Sequence, residues 1–363
     1  MRGGLIAITD FQMALPKLEL SQNESLERLV RLHTEHAPED RKVSIAPLVK
    51  RYGVKPPKIS TRRFESVDIG EKNATIEDRA RFFLHRSREV FGEFYPDSMK
   101  PPAHIIHVTC TGYVSPSSAQ EYASQTNAPV EVTHAYHMGC YAALPAIRIA
   151  EGLVAAQSAR GNRKFNVDVI HNEMCALHMN TANSSPEQLV VQSLFADGHM
   201  KYSVTNLEES NARGFEVITI REQIVPDTQD AMTWVPSDHG MRMTLSREVP
   251  SKIASALRPF LISLCHQAGV SLPEILKTAT FAVHPGGPKI IESVQEILEL
   301  RDDQVEASKA ILRDRGNMSS ATLPHVWKAI LDAKPVDKYP VISLAFGPGL
   351  TIFGSVFKVI QRH

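Results

Sequence analysis

The chain has 363 residues, of which 43% are hydrophobic and 22% are charged, so it can bury a substantial core in one large domain or two ordinary ones. Forty basic and forty acidic side chains give a formal net charge of zero, which excludes a general attraction to nucleic acid or to an anionic membrane. The N-terminus lacks the basic start and apolar run of a signal peptide, and no apolar stretch is long enough to cross a membrane. These features predict a soluble cytoplasmic protein.

Four cysteines lie far apart in the sequence and form no CxxC pair: Cys110, Cys140, Cys175 and Cys265. This spacing favours reduced thiols over a disulfide scaffold or a zinc site.

Strands and helices are predicted to alternate in the first half of the chain. Residues 1–75 are interrupted by prolines and are interpreted as irregular. The patterns that follow predict helices at Ile76–Phe94 and Tyr141–Ala156, and strands at Ala103–Thr109 and Phe165–Ile170. Such alternation is typical of a layered α/β fold.

The second half has the same rhythm, with a turn at Gly347-Pro348-Gly349 between its last two strands. No low-complexity linker separates the two halves, which favours two similar α/β halves packed together. The predicted elements are helices at Ile253–Ala268, Lys289–Leu300 and Ser320–Ala333, and strands at Thr278–Val283, Val341–Phe346 and Thr351–Ile360.

A candidate nucleophile, Cys140, lies directly before a predicted helix and after Gly139. The positive end of a helix dipole and its unpaired N–H groups favour a thiolate, and glycine lets a substrate approach closely. The alternative is a small buried cysteine that packs as an apolar residue.

Two turns carry further polar candidates. His284 ends a predicted strand in HPGGP, where α/β proteins commonly form their sites, although a turn histidine often makes only a local hydrogen bond. Asn317 lies in GNMSS before a helix, where asparagine and serine are also favoured N-caps.

Together these segments resemble the Cys-His-Asn site of the chalcone-synthase-like type III polyketide synthases, in the thiolase superfamily. GCYAALPAIRIAEGL is similar to the family's nucleophile helix, HPGGPKIIESVQEIL to its histidine turn, and RGNMSSAT to its asparagine turn. SLFADG and FGPGLTIFG resemble two further family segments. The resemblance covers the chain from about Ala103 to the C-terminus.

The resemblance implies a five-layered αβαβα thiolase-like fold of two related halves, residues 1–205 with the cysteine and residues 206–363 with the histidine and asparagine. It implies that His284 and the helix N-terminus hold Cys140 as a thiolate that carries an acyl group. A malonyl thioester then loses CO₂, and His284 and Asn317 stabilise the enolate. No cofactor or metal is implied, because CoA or phosphopantetheine thioesters are the substrates.

The resemblance also suggests residues that contact the substrate. Phe195 corresponds to an apolar gatekeeper and Met243 to a second one, while plain core packing would also explain Phe195. The remaining expected contacts are Cys175 and His178 in the cyclisation cavity, Ser319, and Gly347 and Gly349 at the cavity border. A basic patch of Lys50, Arg51 and Lys55 is a candidate for binding CoA phosphates, although a solvated surface also explains it.

Three functions remain open. The first is a type III polyketide synthase that extends an acyl-CoA or acyl-carrier-protein starter with malonyl units and releases a pyrone, resorcinol or related ring. The second is an enzyme similar to ketoacyl-carrier-protein synthase III, which performs one condensation or joins two acyl chains carried by an acyl carrier protein. The third is a catalytically silent scaffold. A homodimer is expected, with no nucleic-acid or membrane partner.

Overall fold

The computed structural model describes residues 6–67, 74–210, 212–238 and 240–361. None of the helices in these segments is both long and apolar enough to cross a membrane. The strands are β1 Ile6–Ala14, β2 Leu18–Ser21, β3 Thr61–Phe64, β4 His104–Thr109, β5 Glu131–Tyr136, β6 Asn166–Met174, β7 Asp197–Asn206, β8 Gly214–Ile224, β9 Met232–Ser237, β10 Gly240–Leu245, β11 Thr280–Val283, β12 Pro340–Gly347 and β13 Thr351–Ile360. The helices are α1 Gln22–His36, α2 Glu39–Tyr52, α3 Ile76–Phe94, α4 Ser118–Gln125, α5 Ala143–Ala159, α6 Pro186–Leu194, α7 Val249–Ala268, α8 Leu272–Thr278, α9 Pro288–Leu298, α10 Asp302–Arg315 and α11 Thr322–Asp332.

Nine strands form one mixed sheet in the order β5-β4-β6-β7-β1-β8-β13-β12-β11. Counted outward from the central β1–β8 pair, the order β1-β7-β6-β4 on one side is repeated as β8-β13-β12-β11 on the other. Neighbours β4 and β6, like β11 and β12, are parallel, and both β7 and β13 run antiparallel to the next strand inward and outward. The chain passes from one set to the other after β7, beside the predicted division at residue 205, which stays a prediction.

Side-chain alternation places helices on both faces of each half of the sheet. On β6, Val169 packs in a central cluster with α5 and α11, while Ile170 packs in an outer cluster with α3 and α4. On β12, Val341 joins the same central cluster and Ile342 joins an outer cluster with α7 and α9. Because successive strand residues face opposite sides, the layers run helix, sheet, helix, sheet, helix. The predicted five-layered αβαβα arrangement is confirmed.

The prediction of an irregular segment at residues 1–75 is wrong. This segment supplies β1 in the middle of the sheet, with Ile6 and Ile8 fully buried, and then β2, α1, α2 and β3. Ser21 and Glu24 form a capping box at the start of α1. The motif S-x-x-E at these positions is a sequence signal for a helix start that the proline-based interpretation overlooked.

Candidate active site

Cys140 lies in the turn between β5 and α5, at the predicted position before a helix. Gly139 has a φ of 79°, a left-handed conformation that favours glycine. A Cβ atom at Gly139 would lie 2.7 Å from Cδ of Pro348, so a side chain there would also crowd the loop between β12 and β13. The amide of Ala142 donates to the Gly139 carbonyl at 3.1 Å and closes the turn into α5.

His284 follows β11 directly. Its amide donates to the Leu344 carbonyl of β12 at 2.7 Å, and its own carbonyl accepts from the Gly286 amide at 2.9 Å. The side chain is 1% exposed, and neither ring nitrogen has a hydrogen-bond partner among the described residues. Buried polar groups are normally paired, so this imidazole is available to a bound substrate.

Asn317 is held from both its backbone and its side chain. Its amide donates to the Leu194 carbonyl at 3.0 Å, and its carbonyl accepts from the Ala196 amide at 2.8 Å. The side-chain Oδ1 accepts from the Ser319 amide at 2.9 Å, and Nδ2 donates to the Gly286 carbonyl at 3.3 Å. Asn317 therefore makes a local hydrogen bond to the backbone two residues later, although the N-cap position of the following short helix is Met318. The Asn317 side chain also hydrogen-bonds to the Cys140 thiol, so its amide faces the reactive sulfur.

Three cavities meet at Phe195 and Met243, which line all of them. The first, the histidine cavity, has a volume of about 40 Å³ and is also lined by Cys140, His284 and Asn317. The second, the thiol cavity, has a volume of about 20 Å³. It is lined by three thiols and one hydroxyl: Cys110, Cys140, Cys175 and Ser319. The third, the distal cavity, is the largest at about 80 Å³ and extends past Cys175 and His178 towards α1.

The three predicted reactive residues therefore line one cavity. Five of the predicted contact residues line it or the two adjoining cavities: Phe195, Met243, Cys175, His178 and Ser319. Both ring nitrogens of His178 are occupied, because Nε2 donates to the Thr111 carbonyl at 2.8 Å and Nδ1 accepts from the Met241 amide at 3.0 Å. His178 therefore offers only its carbon edge to the distal cavity.

The two predicted glycines do not line these cavities. Pro348, between them, lines the thiol cavity, whereas Gly347 is covered by Tyr141, whose Cδ1 would lie 1.9 Å from an added Cβ. Lys50, Arg51 and Lys55 are exposed at and just beyond the end of α2, outside the cavities. Nearby, the Val54 amide donates to Ser193 Oγ at 2.9 Å, which places this segment beside the end of α6 that precedes Phe195.

Burial opposes charge on both reactive groups. It raises the pKa of the Cys140 thiol to about 12, while the Ser319 hydroxyl and the Asn317 amide oppose this rise. Burial also lowers the pKa of His284 to about 3. The expected thiolate is therefore not favoured by the surroundings of Cys140 alone. A thiolate at this position therefore needs a proton acceptor and a compensating charge that burial alone does not supply.

A polar network lies behind the thiol. The Ser319 hydroxyl is 3.9 Å from Sγ of Cys140 and 2.9 Å from Sγ of Cys110. Glu173, fully buried, accepts from the Cys110 amide at 3.1 Å and from the Thr111 hydroxyl at 2.8 Å. These contacts fix the wall of the thiol cavity opposite Phe195.

Sequence reasoning missed the hairpin of β9 and β10 that covers these cavities. Trp234 on β9 lines the thiol and distal cavities and donates from Nε1 to the Cys110 carbonyl at 2.7 Å. Only two tryptophans occur in the chain, which was the one sequence signal for this position. Among the described residues, no group of three His, Cys, Asp or Glu side chains is arranged to hold a metal ion.

Comparisons with known proteins point to one family. Residues 216–361 match the family model described as chalcone and stilbene synthases, C-terminal domain. Over 265 residues the chain is 29% identical to type III polyketide synthase C of Arabidopsis thaliana, covering 70% of this chain and 67% of the relative. These matches support a chalcone-synthase-like type III polyketide synthase, the family that the sequence motifs resemble. The family consists of condensing enzymes of the acyltransferase type.

Other relatives in this family differ in length. The chain is 24% identical over 354 residues to an alpha-pyrone synthesis polyketide synthase-like protein, Pks18, of Mycobacterium tuberculosis, covering 93% of this chain and 83% of that protein. It is 29% identical over 262 residues to probable polyketide synthase 1 of Dictyostelium discoideum, covering 70% of this chain but spanning only 8% of that relative.

The fold is also that of solved members of the family. The C-terminal type III domain of Steely1, a type I/III hybrid from Dictyostelium, superposes with a TM-score of 0.83 at 23% identity, covering 98% of this chain and all of that domain. This likeness shows the thiolase-like fold expected from the sequence.

Proposed function

We propose that this chain extends an acyl starter, held on Cys140, with malonyl thioester units by decarboxylative Claisen condensation. The observation that carries the proposal is the convergence of Cys140, His284 and Asn317 on one cavity, with an unpaired imidazole in it. Sulfur, imidazole and amide come from three segments distant in sequence, and their meeting has no role in the core packing described above.

Loading of the starter is a thioester exchange. His284 takes the proton of the Cys140 thiol as sulfur attacks the acyl carbonyl of the donor thioester. A new C–S bond forms, the old C–S bond breaks, and the proton passes to the departing thiolate. Two neutral groups in the free protein are suited to this transfer, because the ion pair forms only when substrate is present to react.

Decarboxylation then generates the carbon nucleophile. The bond to the malonyl carboxylate breaks, CO₂ leaves, and the electron pair moves into an enolate whose oxygen is negative. The Nδ2 hydrogen of Asn317 that does not go to the Gly286 carbonyl and a ring N–H of His284 donate to that oxygen. The enolate carbon attacks the acyl carbonyl on Cys140, a carbon–carbon bond forms, and the sulfur is released for another cycle.

The cavity walls suit an apolar acyl chain. Phe195 and Met243 separate the histidine cavity from the distal cavity, and a ring beside the malonyl carboxylate excludes water and so favours loss of CO₂. Beyond them the distal cavity is lined by Leu29, Leu32 and Met241. We propose this cavity for the starter and growing chain, with a pyrone or resorcinol as the released ring, in keeping with the alpha-pyrone synthesis named for the mycobacterial relative.

The delivery of substrates and the assembly are further proposals. Lys50, Arg51 and Lys55 lie next to the segment that contacts the end of α6, which is a suitable place for CoA phosphates outside the cavities. Replacing all three by serine should raise KM for malonyl-CoA and leave kcat unchanged. We further propose a homodimer in the cytoplasm that needs no metal or redox cofactor.

The deciding experiment is incubation of the protein with acyl-CoA and malonyl-CoA, followed by product masses. Products with two or more malonyl-derived units support the polyketide synthase, whereas a single condensation or strict dependence on a carrier protein supports the synthase III-like alternative. If no thioester acylates Cys140, the silent scaffold is correct.

The separate roles of the three residues can be measured with variants. Cys140→Ala should lower the rate of condensation by at least about a thousandfold. It should still release CO₂ from malonyl-CoA, because His284 and Asn317 remain. His284→Ala and Asn317→Ala should reduce both. Cys265→Ala is the matched control, since this thiol lies on the buried face of α7 and lines none of the three cavities. Condensation by Cys140→Ala at the normal rate would exclude the mechanism.

A further inference from the structure

Arg62, on β3, is a buried cation directly behind Phe195. Arg62 is only 3% exposed. Nη1 donates to the carbonyl of Phe195 at 2.6 Å and to that of Gln192 at 2.9 Å, while Nε donates to Oε1 of Gln22 at 2.8 Å. One guanidinium therefore holds two backbone carbonyls of the segment that carries the apolar wall.

Gln22, at the start of α1, completes this arrangement. Its Nε2 donates to the Ser193 carbonyl at 2.8 Å and to the Val54 carbonyl at 2.6 Å. The carbonyls of residues 192, 193 and 195 are thus all bound by the Arg62–Gln22 pair, which comes from a part of the chain with no proposed chemical role.

The opposite side of the same segment is bound to the asparagine turn. Phe195 and Asn317 form an isolated parallel bridge, made by the Asn317 amide to the Leu194 carbonyl and by the Ala196 amide to the Asn317 carbonyl. The aliphatic part of Arg62 also packs on this turn, because a Cβ at Gly316 would lie 3.0 Å from its Cγ and Cδ. Arg62 therefore contacts both segments that face the malonyl group in the proposed reaction.

The buried charge of Arg62 destabilises the folded state. Burial lowers its pKa to about 9, with the nearby Asp197 carboxyl opposing that fall, and its described hydrogen bonds go to neutral oxygens alone. A buried charge without an ion-pair partner is destabilising, and apolar side chains of similar volume pack such sites at lower cost. An arginine suits this position because its guanidinium donates to two backbone carbonyls and one side-chain oxygen at once, which an apolar side chain does not do.

We propose that Arg62, assisted by Gln22, is a positioning residue for the decarboxylation step. It sets the separation between the Phe195 ring and the Asn317 amide by holding the carbonyls of the intervening backbone. The inference rests on the proposed function and adds to it a residue that lies outside the histidine cavity and borders only the distal one. Loading of Cys140 does not require this separation, since the thiol lies on a different element, supported by Gly139 and Pro348.

The test compares Arg62→Met with Arg63→Met in the full chain. Arg63 neighbours Arg62 on β3, but its side chain is 28% exposed and pairs with Glu19, so it controls for loss of a cation on this strand. For Arg62→Met we expect kcat for CO₂ release from malonyl-CoA to fall on the order of tenfold or more, since small displacements at reacting groups are costly. The rate of Cys140 acylation, followed by intact mass, should stay within about twofold.

Two further variants keep the test decisive. Arg62→Lys should recover part of the CO₂ release, because one donor and the charge remain, and Gln22→Leu should lower CO₂ release in the same direction if Arg62→Met does not fold. Equal CO₂ release by wild type and folded variants, or an equal loss of acylation and decarboxylation, would overturn the proposal. Failure of the proposed function itself looks different, because wild type would then neither acylate nor release CO₂.

Discussion

At the residue scale, Gly139 determines whether Cys140 can face the cavities. We expect Gly139→Ala to slow Cys140 acylation and to lower the free energy of unfolding by about 1–3 kcal/mol, because a φ of 79° is strained for alanine and its Cβ would press on Pro348. Gly152→Ala is the control on the following helix α5, where an added Cβ meets nothing within 4 Å. That variant should gain about 0.5–1 kcal/mol. Thermal melting and intact mass measure both effects, and an unimpaired Gly139→Ala would show that the turn is not needed.

The residues with reactive side chains could be predicted from the sequence, whereas their electrostatic state could not. Cys140, His284 and Asn317 stand in recognisable turns, and the structure places them at one cavity. Their pKa values depend on how much solvent each group loses, which is a property of the assembled layers. Arg62 was equally out of reach, because its contacts are backbone carbonyls on a segment about 130 residues later in the chain.

At the element scale, His178 attaches the β9–β10 hairpin to the rest of the site. Its ring connects the Thr111 carbonyl to the Met241 amide of β10. His178→Ala removes both bonds, and we expect exchange of the Met241 amide with solvent to accelerate on the order of tenfold to a hundredfold, from a loss of about 1–3 kcal/mol. Hydrogen exchange with mass spectrometry measures this.

A surface histidine provides the control for the hairpin experiment. His85→Ala changes a histidine whose side chain is 71% exposed on α3, and it should leave exchange in residues 232–245 unchanged. Unchanged exchange in His178→Ala would mean that Trp234 and the methionines alone hold the hairpin.

Elements with strong periodicity were predicted well, and elements defined by long-range pairing were not. The bounds of α3 agree with the prediction, since its amphipathic pattern and its capping box at Thr75 and Asp78 are local. By contrast, β1 is a strand because it lies between β7 and β8, which come about 200 residues later. The prolines in the first 75 residues predicted irregular structure there. The strand β1 forms nevertheless, because pairing with distant strands stabilises it.

At the scale of the whole molecule, the two halves enclose histidines that remain neutral in the folded state. Burial is the first cause of a pKa of about 3 at four of them: His107, His171, His284 and His325. In the unfolded chain each pKa returns to about 6.5. Between these values the unfolded state binds more protons, so each histidine lowers the free energy of unfolding as pH falls below about 6.5, by about 1.4 kcal/mol per pH unit.

Buried carboxyls act in the opposite direction over part of this range. Burial raises the pKa of Asp197 to about 7, and also raises those of Asp168 and Glu173. In the folded state these groups keep their protons to a higher pH than in the unfolded state, so their contribution to stability is largest at low pH and is lost as pH rises. The carboxyl contribution stops changing once both states are protonated, whereas the four histidines continue to lower the free energy of unfolding down to about pH 3. The melting temperature should therefore decline from pH 7 to pH 4, and most steeply at the acidic end.

One substitution isolates a single histidine in this balance. His325 donates from Nδ1 to the Ala321 carbonyl at 2.8 Å, and glutamine can also donate but does not titrate. The free energy of unfolding of His325→Gln should depend less steeply on pH than that of wild type, by about 1.4 kcal/mol per pH unit between pH 6 and pH 4. Denaturant unfolding of both proteins across this range measures the difference directly. Parallel curves would show that His325 is protonated to the same extent in the folded and unfolded states, and that its burial between the two halves of the sheet does not keep it neutral.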